Sequence, residues 1–146
     1  MSLRLDDQLC FALYAASRAV TAAYAPLLAP LGLTYPQYLV MLVLWETDGV
    51  SVKQIGERLA LDSGTLTPLL KRLESQGLLA RQRSAEDERV VEIHLSADGK
   101  KLKQRAKSIP EKLGCKFGVP LEEIIDLRDR LHALTSATRT SATEDA

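Results

Sequence analysis

The feature that most constrains the fold is a change of hydrophobic period at Gly77. Before it, "LDSGTLTPLLKRLESQG" places Leu66, Leu69, Leu70 and Leu73 at helical spacing on one inward face. Asp62 or Ser63 can cap the start of this helix, and Gly77 supplies its C-terminal stop. After it, "LLARQR" and "RVVEIHL" are short, β-branched or alternating runs joined by the polar "SAEDE", the pattern of a hairpin. A shorter helix comes first: "SVKQIGERLA" sets Ser51 and Gln54 at capping-box spacing, with Ile55 and Leu59 on one face. Two short helices with a tight turn, then a two-stranded hairpin, make a winged helix-turn-helix over residues 51–95. Its second helix is the one that would enter a DNA major groove, and its hairpin would reach a neighbouring groove.

The flanks are helical. A first helix is expected over residues 7–29, with Leu9, Leu13, Ala16 and Val20 spaced for one buried stripe. "TYPQ" opens the next, since Thr34 can cap, Gln37 completes a capping box and Pro36 is tolerated in the first turn. That helix carries "YLVMLVLWE" and ends at "TDG". Beyond the hairpin, "SADGKKLKQRAKSI" resumes helix, Pro110 interrupts it, "LEEIIDLRDRLHAL" is a last amphipathic helix, and "TSATRTSATEDA" reads as a fraying tail. The expected class is mainly α with a small β-hairpin. Helices over 5–48 and 96–136 would serve dimerisation and sensing, and residues 137–146 would be flexible. Apolar faces that the small reading unit cannot cover point to a homodimer, which suits a two-fold operator.

Composition bounds the function. Nineteen basic residues balance nineteen acidic ones among 146, so contact with nucleic acid must come from a local patch. Such a patch is visible. Ser63, Thr65, Thr67, Lys71 and Arg72 occupy the outward face of the second short helix, where hydroxyls can bond phosphate or base edges and the cations can neutralise phosphates. Arg81 and Arg83 extend the basic surface into the hairpin. Arg89, at its tip, is the best candidate to enter a minor groove, with Asp87 two residues before it to brace the guanidinium. Any one of these is more simply a solvated charge; the set, spread over both parts of a winged helix, is not.

Other classes find little support. There is no basic N-terminal segment followed by a long apolar run, and the eight residues of "YLVMLVLW" cannot span a bilayer. A cytoplasmic protein with thiols reduced at rest is expected, without contact to membranes. His94 on a strand and His132 on a late helix lack a cysteine or carboxylate constellation, so no metal is indicated. No phosphate-cradling glycine loop or serine-nucleophile motif is present, and no cofactor is expected.

That leaves the cysteines. In "LDDQLCFALYAASR", Cys10 stands beside the apolar stripe with Tyr14 one turn further on. A helix N-terminus favours an anion, whereas Asp6 and Asp7 oppose one, so phenol donors would be the remedy for a thiolate. Tyr24 lies near the same side but about 21 Å along the axis at ~1.5 Å per residue, so it could reach a Cys10 only across a dimer interface. Cys115, between Gly114 and Lys116 after Pro110, is expected in a helix break, a mobile position that suits a second thiol.

Together "LCFALYAASR", "LTYPQYLVMLVLWE" and "LDSGTLTPLLKRLESQGLLARQRSAEDERVVEIHLSADG" resemble the organic hydroperoxide resistance regulators, a peroxide-sensing branch of the MarR family of dimeric winged-helix repressors. The resemblance covers roughly residues 5–110 and is most specific at Cys10 in "QLCF"; further on, Cys115 resembles the second cysteine of a two-cysteine subgroup. It implies a repressor that binds double-stranded operator DNA when reduced and is released when organic hydroperoxide oxidises Cys10. By the same resemblance Cys10 is peroxidatic, Cys115 resolving through a disulfide, and Tyr14, Tyr24 and Tyr35 match the tyrosines around the reactive thiol. Two alternatives stay open: a MarR-type repressor released by a small hydrophobic ligand, and a thiol peroxidase. Against the second, no arginine or threonine stands near Cys10 to activate peroxide, and the reading unit would be unexplained; an enzyme is not expected.

Overall fold

In the computed structural model, which describes residues 2–144, helix α1 (Leu9–Leu28) lies between two 3-10 turns, Leu5–Asp7 and Ala29–Leu31. Helix α2 (Tyr35–Glu46), strand β1 (Val50–Ser51), helices α3 (Val52–Leu59) and α4 (Ser63–Ser75), strands β2 (Leu79–Arg83) and β3 (Val91–Leu95), and helix α5 (Ala97–Ala106) follow. Helices α6 (Ile109–Phe117) and α7 (Leu121–Glu144) complete the chain. It divides into two compact units, the first ending at Ile109 and the second starting at Pro110.

Local sequence chemistry sets the helix starts. The Thr34 amide donates to Gln37 Oε1 at 2.9 Å and the Gln37 amide to Thr34 Oγ1 at 3.4 Å, with Pro36 in the first turn of α2. Ser51 and Gln54 make the same reciprocal pair at α3, at 2.8 and 3.1 Å. At α4 the cap is Asp62, whose Oδ1 accepts from the Thr65 amide at 2.8 Å. The helix stops where Gly77 takes φ 74° and the Leu78 amide reaches the Leu73 carbonyl at 3.0 Å.

The hairpin is part of a three-stranded antiparallel sheet in the order β1-β3-β2, with Val50 opposite Ile93 and Arg81 opposite Ile93 from the other side. The sequence reading contained only the hairpin, because a strand of two residues carries no alternation to read. Helix α2 is the centre of the core, burying Tyr38, Val40, Met41, Val43, Leu44 and Trp45 against Leu66, Leu70 and Leu73 of α4 and Leu102 of α5. Trp45 is fixed at both ends: its Nε1 donates to the Gly99 carbonyl at 2.9 Å, and Lys103 Nζ donates to its carbonyl at 2.8 Å. Gly99 has to be glycine, since a Cβ there would collide with the Leu78 carbonyl. No single described helix is long and apolar enough to cross a membrane; the apolar run of α2 is core.

Four expectations are corrected. Leu9 is 61% exposed and Ala16 exposed, with Leu13 and Val20 half-buried, so the stripe on α1 is apolar but uncovered within the chain. Leu69 is half-buried, at the margin of the α4 stripe. Pro110 does not break a helix: it occupies the first turn of α6, where its missing amide interrupts no bond, and the interruption falls at Lys107 and Ser108. The expected tail continues α7 through Glu144, where Thr135, Thr138 and Thr140 donate to the carbonyls four residues back at 2.9, 2.8 and 3.1 Å. Residues 145–146 of that tail lie outside the described residues.

Candidate DNA interface and thiol site

The turn between α3 and α4 is tight for identifiable reasons. Ala60 adopts a left-handed conformation, φ 56°, and a Cβ on Gly56 would come within 2.9 Å of the Leu61 carbonyl. The turn presents α4 with Leu66, Leu70 and Leu73 inward and Ser63, Thr65, Lys71 and Arg72 exposed. Thr67 departs from expectation. It is half-buried, because at about 100° per residue it lies beside Leu70 on the wheel rather than opposite it. Among the described residues no carboxylate pairs with Lys71 or Arg72.

The arginines of the hairpin are employed differently from one another. Arg81 Nε meets Glu74 Oε2 at 2.8 Å while the Arg81 amide donates to Oε1 at 3.3 Å, so this side chain ties β2 to α4 instead of standing free. The Arg81 amide and guanidinium together hold the Glu74 carboxyl below the usual carboxylate range. Arg83 Nη1 donates to the Glu88 carbonyl at 2.7 Å, across the wing loop. At the tip Asp87 Oδ1 accepts from the Arg89 amide and Nε, and Oδ2 from Nη2, each at 3.1 Å. The Arg89 guanidinium and then its amide lower the Asp87 carboxyl. This is the brace expected from sequence, and it leaves the Arg89 side chain 90% exposed.

Both thiols are free and exposed. Cys10 is the second residue of α1, flanked by exposed Leu9 and Phe11. Cys115 lies within α6, not in the helix break expected for it. Tyr14 turns to Arg18: its hydroxyl oxygen accepts from Nη1 at 2.9 Å, and the guanidinium stands 5.5 Å from the ring centre. Among the described residues nothing hydrogen-bonds the Cys10 sulfur.

Tyr24 and Tyr35 do come together, with ring centres 4.6 Å apart, and Tyr38 joins them 5.7 Å from Tyr24. Burial, reinforced by Tyr35 and Tyr38, pushes the Tyr24 phenol up to about 12; burial also raises Tyr35 and Tyr38. These rings are therefore donors, not phenolates, at neutral pH. Sequence reasoning missed Tyr38 as a member of this cluster, although its i,i+3 spacing from Tyr35 was the available signal. His94 has one carboxylate beside it: Glu92 Oε2 lies 3.1 Å from its Nε2. One carboxylate does not make a ligand set, and no group of three such residues capable of holding a metal occurs among the described residues.

Comparison with known proteins places this geometry. Residues 22–106 match the family model for the transcriptional regulator SarA/Rot. The organic hydroperoxide resistance transcriptional regulator of Bacillus subtilis (strain 168) is 51% identical over 138 residues, spanning 94% of this chain and 92% of that protein. The structure of reduced AbfR bound to DNA, a protein of Staphylococcus epidermidis, superposes with a TM-score of 0.78 at 34% identity, covering 93% of this chain and 95% of that one. Disulfide-formed AbfR gives 0.65 at 36% identity, over 91% and 93% of the two chains. With a winged helix-turn-helix built on a three-stranded sheet and these relatives, the chain belongs to the MarR/SarA family of winged-helix transcriptional regulators, beside the organic hydroperoxide resistance regulators and not among enzymes.

Proposed function

We propose that the protein is a thiol-switched repressor: a cytoplasmic homodimer that holds operator DNA while reduced and leaves it when organic hydroperoxide oxidises Cys10. The observation that carries the reading is a free, exposed thiol near the start of α1 in a chain that also carries a braced, outward-pointing Arg89 and exposed Lys71 and Arg72. Exposure is the first requirement of a sensor thiol. The relative from Bacillus subtilis at 51% identity, named for organic hydroperoxide resistance, supports the signal. The structure of reduced AbfR bound to DNA supports DNA as the partner.

The chemistry balances in two steps. The Cys10 thiolate attacks the distal peroxide oxygen, releasing an alcohol and leaving a sulfenic acid; the Cys115 thiol then displaces water to form a disulfide. The protonated Tyr24 and Tyr35 are donors suited to a thiolate, but Tyr24 stands about 21 Å along α1 from Cys10 in its own chain at ~1.5 Å per residue. In the dimer these phenols reach the thiol from the other subunit, where the uncovered apolar face of α1 packs. Tyr14, whose hydroxyl accepts from Arg18, keeps its own proton to donate. Disulfide-formed AbfR supports the second step.

The test is a gel shift with duplex DNA from upstream of the protein's own gene. Reduced protein should retard it, one equivalent of an alkyl hydroperoxide should release it, and a thiol reductant should restore it. Cys10→Ser should stay bound throughout. Cys115→Ser should still be oxidised at Cys10, without a disulfide on a non-reducing gel, and should proceed more readily to irreversible acids. Release from wild-type protein whose intact mass shows both thiols unmodified would reject the mechanism. Catalytic, many-turnover consumption of the peroxide would instead make it a peroxidase.

A further inference from the structure

Helix α4 breaks two local rules on its outward face. Gly64, in the first turn, has none of the left-handed φ that would call for glycine, and a Cβ there would meet only the Asp62 carboxylate, at 3.2 Å. Pro68 lies inside the helix, one turn further on, and offers no amide to the Gly64 carbonyl. Both residues weaken a helix relative to alanine, and both are exposed, so packing within the chain does not offset the cost. At about 100° per residue Pro68 sits within about 15° of the point opposite the mean direction of Leu66, Leu70 and Leu73. Gly64 lies beside it, and Lys71, Arg72 and Thr65 flank it. At Gly64 the cap accounts for the missing side chain, since a Cβ would crowd the Asp62 oxygen that accepts from Thr65; for Pro68 nothing inside the fold does, and such departures from local preference are expected at functional sites.

The ring of Pro68 has no donor or acceptor, so it cannot bond a phosphate or a polar base edge. The one apolar group that the major groove presents is the C5-methyl of thymine. We propose that Pro68 is a specificity-determining residue that packs against a thymine methyl in each half-site, with the bare Gly64 backbone permitting the approach. The inference rests on the reading of α4 as the DNA-reading helix, and it adds a thymine preference, which the charged ends of the flanking cations cannot supply because they have no apolar group to set against a methyl.

Deoxyuridine differs from thymidine only by that methyl, which makes the test direct. Duplexes bound by the reduced full-length protein are first selected from a random pool, and each thymine of the winning sequence is then replaced singly by deoxyuridine. Wild-type protein should lose about fourfold in affinity at one thymine per half-site, the value of one buried methyl. Pro68→Ser should become indifferent at that position alone, with its salt dependence unchanged because no phosphate contact is removed. Tolerance of deoxyuridine at every position, or a methyl preference that persists in Pro68→Ser, overturns the assignment of Pro68. Failure to enrich any sequence at all would overturn the DNA-reading role itself. The wild-type scan needs no variant, and serine in place of an interior proline restores an amide to the helix.

Discussion

Raising the pH should destabilise this protein through its tyrosine cluster. Tyr24, Tyr35 and Tyr38 all titrate above the ordinary phenol value of 10.0 in the folded state, Tyr24 at about 12, with burial the leading cause for each. A group whose folded pKa is raised contributes stability that is complete below its unfolded pKa and lost as pH climbs through the folded one. For Tyr24 that window is pH 10 to about 12. Two pH units correspond to an upper bound of about 2.7 kcal/mol. Tyr24 is only half-buried, so solvent screening brings the expected loss to the order of 1 kcal/mol. Urea denaturation at a series of pH values, with phenolate absorbance followed in parallel, should show wild-type stability falling across that interval. Tyr24→Phe, which keeps the ring and removes the proton, should fall less steeply. If the mutant loses stability as steeply as wild type, or if phenolate forms at the ordinary value in all three rings, the packing argument for this cluster is wrong.

Three further outcomes are expected. Leu70→Ala, at a core position that is 1% exposed, should cost about 2–5 kcal/mol in chemical denaturation by removing contacts and leaving a cavity. Ala60→Gly should raise the melting temperature slightly, by about 0.5–1 kcal/mol in stability, because it relieves a left-handed φ of 56°; a drop of that size would show that the Ala60 methyl packs usefully. Arg89→Ala should weaken operator binding by about 1–3 kcal/mol in fluorescence anisotropy while leaving the unfolding curve unchanged; equal affinity would remove the wing tip from the interface.

What was legible in the sequence was what is decided locally. The Thr34–Gln37 and Ser51–Gln54 caps and the Gly77 stop are interactions within four residues, and each stands where its sequence signature put it. The Asp87 brace on Arg89 is likewise a two-residue matter. What escaped depends on distant partners. Periodicity reports that a face is apolar and says nothing of what covers it, which is why Leu9 and Ala16 on α1 were expected buried and are exposed. Arg81 reads as a free cation until Glu74, seven residues back, is found against it. Pro110 is a helix breaker or a helix starter depending on which residues precede it in the same turn, and only the backbone distinguishes the two. The tyrosine cluster was not legible as geometry, since it joins Tyr24, far along α1 from Cys10, to Tyr35 and Tyr38 of α2.

Glu74 grips Arg81 by both its amide and its side chain, so helix and wing cannot move apart without giving up those bonds. These two bonds couple the start of the wing to the end of α4 in the reading head. A displacement of the wing alone would have to give up both bonds, whereas a movement of α4 and the wing together keeps them. In the dimer proposed above, two such heads act like the points of a pair of dividers set to one turn of DNA, about 34–36 Å. Under that proposal, oxidation would act on the span of the dividers and not on the shape of the points. Because both points would have to land together, a small change of span would unseat the pair at once, and the response would take the form of a threshold rather than a gradual loosening.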